Sequence, residues 1–326
     1  MNRQLVTGID ISHHSIKAVV LKHTKGDSSI ISYQEIPLSD GISLENNTVN
    51  PDEIVKKLKE LKKTLPWLSH KVAIAIPDNA VISKILQIDS DLDVSEREFA
   101  IMQAFALQSP FPIEELRLDF VPVENTTVTR GKVATYQVYA TKKEVIESRN
   151  DAVSKAGFKP LVMDLQSHSL LSIWQRAQQQ TSKENWAILD IGEQRSTLCM
   201  DLERKPAFHK EIPMGFKVLA ETKEQDSNLT AFGERVLRQA QIAASSNGGK
   251  AIEGLWVTGN GGLIEPLIDY LHTALTIPVD ILNVFDLFDI ELPKKSSKIP
   301  VAEETFAVAT GIALRGVHWQ ETEHVA

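Results

Sequence analysis

The chain is poor in several features that would assign it to a familiar class at once. It has one cysteine, Cys199, among 326 residues, so an internal disulfide cannot form and a disulfide-stapled scaffold is excluded. A lone thiol inside an apolar alternation reads as a small core residue in preference to a nucleophile. Long apolar runs are missing as well. No window approaches the roughly 20 apolar residues that span a bilayer, and the start, Met1-Asn2-Arg3-Gln4-Leu5-Val6, has no apolar run behind its one basic residue. A cytoplasmic protein is expected, with no direct membrane span and any membrane contact made through a partner or a surface face. Basic charge is in deficit too: 35 Lys and Arg stand against 43 Asp and Glu, a net charge of -8. That balance repels nucleic acid and anionic lipid, so neither is expected to be held directly. The nine histidines show no Cys/His spacing of a zinc site, and no Ser/His/Asp arrangement can be assembled.

What is present is ordinary for a folded α/β protein, with 42% hydrophobic and 24% charged residues. At about 100 to 200 residues per domain, the length suggests two domains. Alternation marks strands at Val6 to Ile11, Ile16 to Lys22 and Ser29 to Ile36, an opening meander with Gly26-Asp27 as a turn. Asn50, Pro51 and Glu53 then read as N-cap, first helical position and capping box of a helix with Ile54, Leu58, Leu61 and Leu65 on one stripe. Its other face carries Lys56, Lys57, Lys59, Lys62 and Lys63. Such a helix suits either a membrane surface or a sheet, and the sheet-packed reading is favoured. Strands follow at Lys71 to Ile76 and Val81 to Ile88. The next stretch changes texture: a helix from a Ser95/Glu98 capping box to Gln108, the turn Ser109-Pro110-Phe111-Pro112, strands at Leu116 to Val123 and Thr135 to Ala140, and a helix ending at Gly157. This stretch reads as an α+β insertion. A strand at Leu161 to Asp164 and a helix from Gln166 to Gln180 close the first half.

The pattern then restarts. Trp186-Ala187-Ile188-Leu189-Asp190-Ile191-Gly192 matches Val6-Thr7-Gly8-Ile9-Asp10-Ile11-Ser12 in kind, and both lead through alternating residues to a strand ending Glu-Ile-Pro, at Glu35-Ile36-Pro37 and Glu211-Ile212-Pro213. The aspartates lie 180 positions apart and the triplets 176. The pattern reads as an internal duplication of one α/β domain, with chance similarity of two β-meanders as the alternative. Beyond it come a helix near Ser227 to Ser246, a strand at Gly254 to Thr258, the turn Gly259-Asn260-Gly261-Gly262, a helix at Leu263 to Leu275, a strand at Val279 to Leu282, a loop at Pro293 to Pro300 and a last helix, Val301 to Arg315, rich in small residues.

Two strand-Asp-turn units facing across a cleft suit a nucleotide with its metal. Each turn aims backbone N–H groups at phosphate, and each aspartate can hold magnesium through water. Asp10 and Asp190 are the expected pair, Lys17 adds a cation, and Gly192 lets backbone approach phosphate. The Gly259-Asn260-Gly261-Gly262 turn is a third element where backbone can meet a nucleoside or phosphate.

The order Gly8-Ile9-Asp10-Ile11 with Lys17, then Asp190-Ile191-Gly192, then Thr258-Gly259-Asn260-Gly261-Gly262 and Ala309-Thr310-Gly311-Ile312-Ala313-Leu314-Arg315 resembles the actin/Hsp70/sugar-kinase superfamily. Within it the chain is similar to the PilM family of type IV pilus assembly and the related MshI proteins. The likeness runs nearly end to end and includes Ser109-Pro110-Phe111-Pro112-Ile113-Glu114-Glu115-Leu116. It implies an actin-like pair of duplicated RNase H-like α/β domains. The first occupies 1–90, an inserted 1C-type α+β subdomain 91–159, a return to the first domain 160–180, the second domain 181–300, and a C-terminal helix returning to the first domain 301–326. The resemblance also implies ATP and magnesium in the cleft, capture of the cytoplasmic N-terminal tail of the inner-membrane protein PilN beside the subdomain, and coupling to pilus motor ATPases. Phe105, Pro110, Phe111 and Pro112 are the candidate tail contacts, with core packing an equal reading for the phenylalanines.

Three departures bear on chemistry. The first loop reads Asp10-Ile11-Ser12-His13-His14-Ser15, where the family has small residues. Ser12 can still reach phosphate and His13 borders the site, but adjacent histidines diverge and no third metal ligand is evident. Glu193 and Gln194 follow Gly192, and a carboxylate there repels phosphate unless magnesium intervenes. Gln166 stands where relatives carry an acid, and an amide cannot accept a proton from water. A nucleotide-binding adaptor is therefore expected, at most a weak ATPase. The alternatives are a scaffold with a degenerate nucleotide site of the MshI or type II secretion kind, a superfamily kinase or ATPase, and a filament former.

Overall fold

The computed structural model describes residues 4–24, 26–38, 51–123, 133–202, 205–264, 266–292 and 302–323. The expected N-cap Asn50 and the loop at 293–300 lie outside them.

The chain opens with β1 (Gln4–Ile11), β2 (Ser15–Thr24) and β3 (Asp27–Pro37), an antiparallel meander in which Asp10 lies opposite Lys17. Alternation sends successive side chains to opposite faces, and both faces are covered. Ile9, Ile11, Ile16, Ala18 and Val20 meet α1 (Pro51–Thr64), whose stripe Ile54, Leu58 and Leu61 is fully buried. The basic amphipathic helix therefore spends its apolar face on the sheet. β4 (Lys71–Ile76) pairs parallel with β1.

Next comes a small unit of its own: β5 (Val81–Asp89), α2 (Val94–Ala106), β6 (Leu116–Val123) and β7 (Val133–Lys142), with strand order β5-β7-β6. Its sheet starts at β5, upstream of the boundary expected at 91. The helix expected from Ser95/Glu98 is capped instead by Asp93. The Asp93 carboxylate accepts the Glu96 N–H at 2.8 Å, and Glu96 accepts the Asp93 N–H at 3.1 Å. Phe105 is sealed in the core of this unit with Ile101, Leu116, Tyr136 and Val138. α3 (Lys143–Lys155), expected inside the insertion, packs on α1, with Ala152 and Val153 in the core they share.

β8 (Lys159–Leu165) adds parallel to β4 and leads into α4 (Gln166–Thr181). The second half repeats the first: β9 (Trp186–Ile191), β10 (Ser196–Leu202) and β11 (Lys205–Ile212) form a meander, followed by α5 (Phe216–Leu219), α6 (Gln225–Ser246), β12 (Gly254–Gly259), α7 (Leu267–Leu275) and β13 (Val279–Ile281). The strand orders coincide, β3-β2-β1-β4-β8 in the first sheet and β11-β10-β9-β12-β13 in the second, with β14 (Asp289–Ile290) added on the β3 edge. α7 is shorter than expected because Pro266 serves as its N-cap, and Asn260–Leu263 before it forms a 3-10 turn. The last segment also differs. A 3-10 turn at Glu303–Phe306 precedes α8 (Ala307–Glu323), which continues through the polar residues after Arg315.

α8 lies very close to its neighbours in the first half, β1, β4 and α4. A Cβ on Gly8 of β1 would overlap the Ala309 carbonyl oxygen, and one on Gly311 of α8 would overlap the Ser169 carbonyl of α4. Gly316 fits against Val6 and Ala73 in the same way, 2.7 and 2.8 Å from where its Cβ would stand. These approaches leave α8 and α4 stacked across the first sheet, with Cys199 fully buried in the core below. Gly311→Ala is expected to lower the unfolding free energy by about 2 to 3 kcal/mol through overpacking. Gly26→Ala, at φ +87° in open space, should cost only about 1 to 2 kcal/mol. Urea denaturation of both variants measures the difference.

Candidate functional site

β1 and β9 occupy equivalent places in the two sheets and bring Asp10 and Asp190 near enough for their charges to interact. Both residues are half-buried. Burial pushes the Asp190 carboxyl up to about 7, the Asp10 carboxylate adds to the rise, and the Lys17 ammonium opposes it. Asp10 is also raised, by burial, against a hydrogen bond from Gln166 and the charges of Lys17 and Arg149. Two like charges in a low-dielectric site each oppose the ionisation of the other.

The surrounding residues explain how each aspartate is held. Gln166, first residue of α4, donates from Nε2 to Asp10 Oδ1 at 3.1 Å. Lys17 is steered by the Thr305 carbonyl at 3.1 Å and by Glu35 at 3.8 Å. Behind Asp190 stands Gly259, at φ +70° and ψ -141°. A Cβ there would lie 2.7 Å from Asp190 Oδ1 and 2.6 Å from the Ile191 carbonyl oxygen. The position requires glycine both for its left-handed backbone and for the space it leaves to the carboxylate. Thr258 donates to the Glu304 carbonyl at 2.7 Å, fastening the turn before α8 to the second half.

The loops that would cradle phosphate are already engaged. Ser12 Oγ donates to the Ser15 carbonyl at 2.9 Å and accepts the Ser15 N–H at 3.2 Å and the His14 N–H at 3.4 Å. A side-chain oxygen thus receives amides that a phosphate oxygen would compete for. In the second loop, Glu193 pairs with His14 across the cleft at 3.4 Å and accepts from Asn260 Nδ2 at 3.3 Å. One carboxylate therefore joins the first loop, the second loop and the glycine turn. Gly192 has no room for a side chain, since a Cβ would stand 2.8 Å from the Arg195 carbonyl oxygen. His13 is exposed, and burial of part of its ring with His14 and Arg195 nearby lowers its pKa.

The structure thus brings Asp10, Lys17, Asp190, Glu193, Gly259 and Asn260 together, with Ser12 and Gly192 shaping the loops. Gly261 and Gly262 do something else: Gly261 packs on Val257 and Ile191, and Gly262 makes room for Glu304. Arg149 of α3 escaped the reading of the chain. It is fully buried, its Nη1 donates to the Val145 carbonyl at 3.1 Å, and burial lowers its pKa to about 10 against the pull of Asp10. The signal was there, because Arg149 interrupts an otherwise apolar stripe of Val145, Ala152 and Val153. His14, adjacent to a named residue, was also missed as a bridge.

Among the described residues no group of three His, Cys, Asp or Glu side chains could hold a metal by itself. The donor set still fits magnesium bound with a nucleotide. Two carboxylates that resist ionising together favour a divalent cation between them, and such an ion keeps several waters and takes phosphate oxygens.

Beside α4 lies a second polar group. Asp78 accepts the Ser167 N–H at 3.0 Å and the Ser167 hydroxyl, capping α4. Asp164 is held by His168 Nδ1 at 2.7 Å and Arg315 Nε at 2.6 Å. Burial alone would raise Asp164, but His168 and Arg315 keep it below the usual carboxylate range. Above this group opens a groove of about 510 Å³ between the outer face of β6 and β7, α4 and the β10–β11 hairpin; Val121, Tyr139, His168, Leu171, Gln175 and Asp201 are among its walls. A smaller cavity of about 220 Å³ at the other side of the small sheet is walled by Phe111, Ile82 and Lys142. Phe111 is partly exposed under the Lys142 ammonium, 4.7 Å from the ring centre, and Pro110 and Pro112 are exposed. Phe105 is fully buried and cannot meet a partner.

Comparison with known proteins follows the same lines. A family model described as "Type IV pilus assembly protein PilM" matches residues 8–231. The protein of a "PilM-PilN type IV pilus biogenesis complex" superposes with a TM-score of 0.79 at 21% identity, covering 97% of this chain and 99% of that one. The cytoplasmic domain of EpsL, an inner-membrane component of the type II secretion system of Vibrio cholerae, gives 0.48 at 10% identity over 96% and 95%. The ethanolamine utilization protein EutJ from Carboxydothermus hydrogenoformans gives 0.48 at 11% over 96% and 90%.

The Asp190 shift fixes the sign of a pH effect. With its pKa raised to about 7, the folded protein keeps a proton that the unfolded chain loses above about pH 4, so this group's contribution to stability falls as pH rises from about 4 to 7. Asp190→Asn should flatten that slope and, at about pH 8 without magnesium or nucleotide, raise the unfolding free energy by ~2 kcal/mol. Urea titrations across the pH range check both.

Proposed function

The chain belongs to the PilM family of type IV pilus assembly proteins, and from that membership we propose that it is an actin-like adaptor that binds ATP between its two sheets and captures the N-terminal cytoplasmic tail of a PilN-like inner-membrane protein. The observation that carries the nucleotide half is the Asp10/Asp190 pair on equivalent strands. Asp10 and Asp190 would hold a magnesium ion through water, and that ion would offset the negative charge of the phosphates. Lys17, Gly192, Gly259 and Asn260 border the same space. In this reading Asp10 and Asp190 are committed to the metal, and the other candidates for taking a proton from water are weak. Gln166 is an amide, and Glu193 is shared between His14 and Asn260. At most a weak ATPase is consistent with that arrangement.

The tail half is supported by the 510 Å³ groove. It combines apolar walls with amide, phenol and carboxylate groups, as an extended peptide with alternating side chains requires. A tail disordered when free loses entropy on docking, which keeps a single-site affinity modest. Attachment through that tail would place the protein at the inner membrane, where a link to pilus motor ATPases belongs to the same proposal.

A second reading has its own observation. Ser12 and Glu193 satisfy the phosphate loops internally, as in a scaffold whose nucleotide site has lapsed. Isothermal titration with ATP and magnesium separates the two. The adaptor reading expects binding that is lost in Asp190→Asn and strengthened about ten-fold in Glu193→Ala, because a carboxylate near phosphate costs on the order of 1 to 2 kcal/mol. No binding by the wild type or by Glu193→Ala would establish the lapsed site. For the tail, Val121→Asp in the groove should weaken binding of a PilN-like tail peptide at least ten-fold, while Phe111→Ser leaves it unchanged; the reverse pattern would move the peptide to the smaller cavity.

A further inference from the structure

At the end of the first sheet opposite the cleft, the surface carries a combination that the adaptor reading does not use. Trp67 is 93% exposed and Leu68 65%, side by side in the turn between α1 and β4. A water-exposed indole next to an exposed leucine is costly to keep in solution. The turn itself is firmly held. The Ser69 N–H donates to the Pro66 carbonyl at 3.0 Å, and Thr7 Oγ1 donates to the Ser69 carbonyl at 2.9 Å. A cavity of about 490 Å³, walled by Lys62, Pro66, Trp67, Ser69, His70 and Gly157, leaves one flank of the indole without packing partners.

Positive charge surrounds this turn. Residues 61–71 and 155–163 contain Lys62, Lys63, Lys71, Lys155 and Lys159 with His70, and no Asp or Glu. The two segments are neighbours, since the Lys159 N–H donates to the His70 carbonyl at 2.7 Å and the Lys62 ammonium reaches the Gly157 carbonyl. Lys63, Lys155 and Lys159 are exposed, and on α1 Lys56 and Lys59 continue the patch along the helix. Exposed Glu60 beside Lys63 and exposed Asp151 one turn before Lys155 are its acidic neighbours, and lysine stays in excess. Charges farther than about 8 Å away are screened at physiological ionic strength. The net charge of -8 therefore does not decide how this face meets a surface.

We propose that Trp67 and Leu68, ringed by Lys63, Lys155 and Lys159, form a docking face for an anionic phospholipid bilayer. Tryptophan suits the boundary between headgroups and acyl chains, leucine the hydrocarbon below it, and lysine the phosphates around them. The apolar stripe of α1 stays in the core, so the contact is a shallow wedge from one turn. β4 runs from this face toward the cleft over six residues, a span of about 20 Å at roughly 3.3 Å per residue. The docked protein would keep its cleft turned to solution. The proposal stands apart from tail capture and needs no partner protein.

Vesicle flotation of the full chain without any tail peptide tests it. Binding is expected to vesicles of phosphatidylglycerol mixed with phosphatidylethanolamine, not to phosphatidylcholine alone, and should weaken with added salt. Trp67→Ser with Leu68→Ser, and separately Lys63→Glu with Lys155→Glu, should each reduce the bound fraction at least ten-fold while leaving the urea midpoint and tail-peptide affinity unchanged. Quenching by brominated acyl chains should fall in Trp67→Phe, which places that indole in the bilayer. No flotation with phosphatidylglycerol, or flotation of both double variants equal to that of the wild type, would overturn the proposal. Dimerisation of the wild type in lipid-free solution, abolished by the serine pair, would assign the face to a second copy instead.

Discussion

Two carboxylates that repel each other sit at the point where the halves of this protein meet, and much of the surrounding structure manages that repulsion. Asp10 and Asp190 end equivalent strands of two sheets with the same order, so duplication of one unit puts them face to face. Desolvation and mutual charge both disfavour ionisation there. The protein answers with an amide from Gln166, the ammonium of Lys17 and the buried guanidinium of Arg149. It also leaves Gly259 without a side chain, so that the Asp190 carboxylate has somewhere to stand.

That juxtaposition survives because α8 and α4 can approach their neighbours at backbone distance. Gly8, Gly311 and Gly316 remove the side chains that would hold α8 away from β1, α4 and β4. From its start, Thr305 steers Lys17 and Glu304 receives Thr258, one bond to each half. α8 is thus fixed on the first half, and the turn before it is bonded to the second. Within the cleft, Ser12 and Glu193 satisfy the loops internally, and any phosphate placed there would have to displace them.

Much of this was legible in the residues. The two Asp-bearing meanders, the glycine turn and the amphipathic α1 follow from periodicity and capping, which are local properties. Boundaries were missed where two local signals competed: Asp93 outbid Ser95 as a cap, and Pro266 delayed α7. Arg149 was passed over because a charge inside an apolar stripe acquires its meaning only when Asp10 is seen beside it. Phe105 and Phe111 read alike along the chain, yet one is core and the other borders a cavity, because α2 buries only part of the small sheet.

The order of residues by itself carried the repeated meander, the loop residues and the resemblance to the family's motifs, since strand alternation and the placing of aspartates and glycines are written in one dimension. Only the tertiary structure decided that Glu193 reaches both His14 and Asn260, that α3 belongs with α1, and that Trp67 stands among lysines from two distant segments. Contacts between residues far apart in the chain carry no periodic signature, and burial depends on which faces the packed helices leave uncovered.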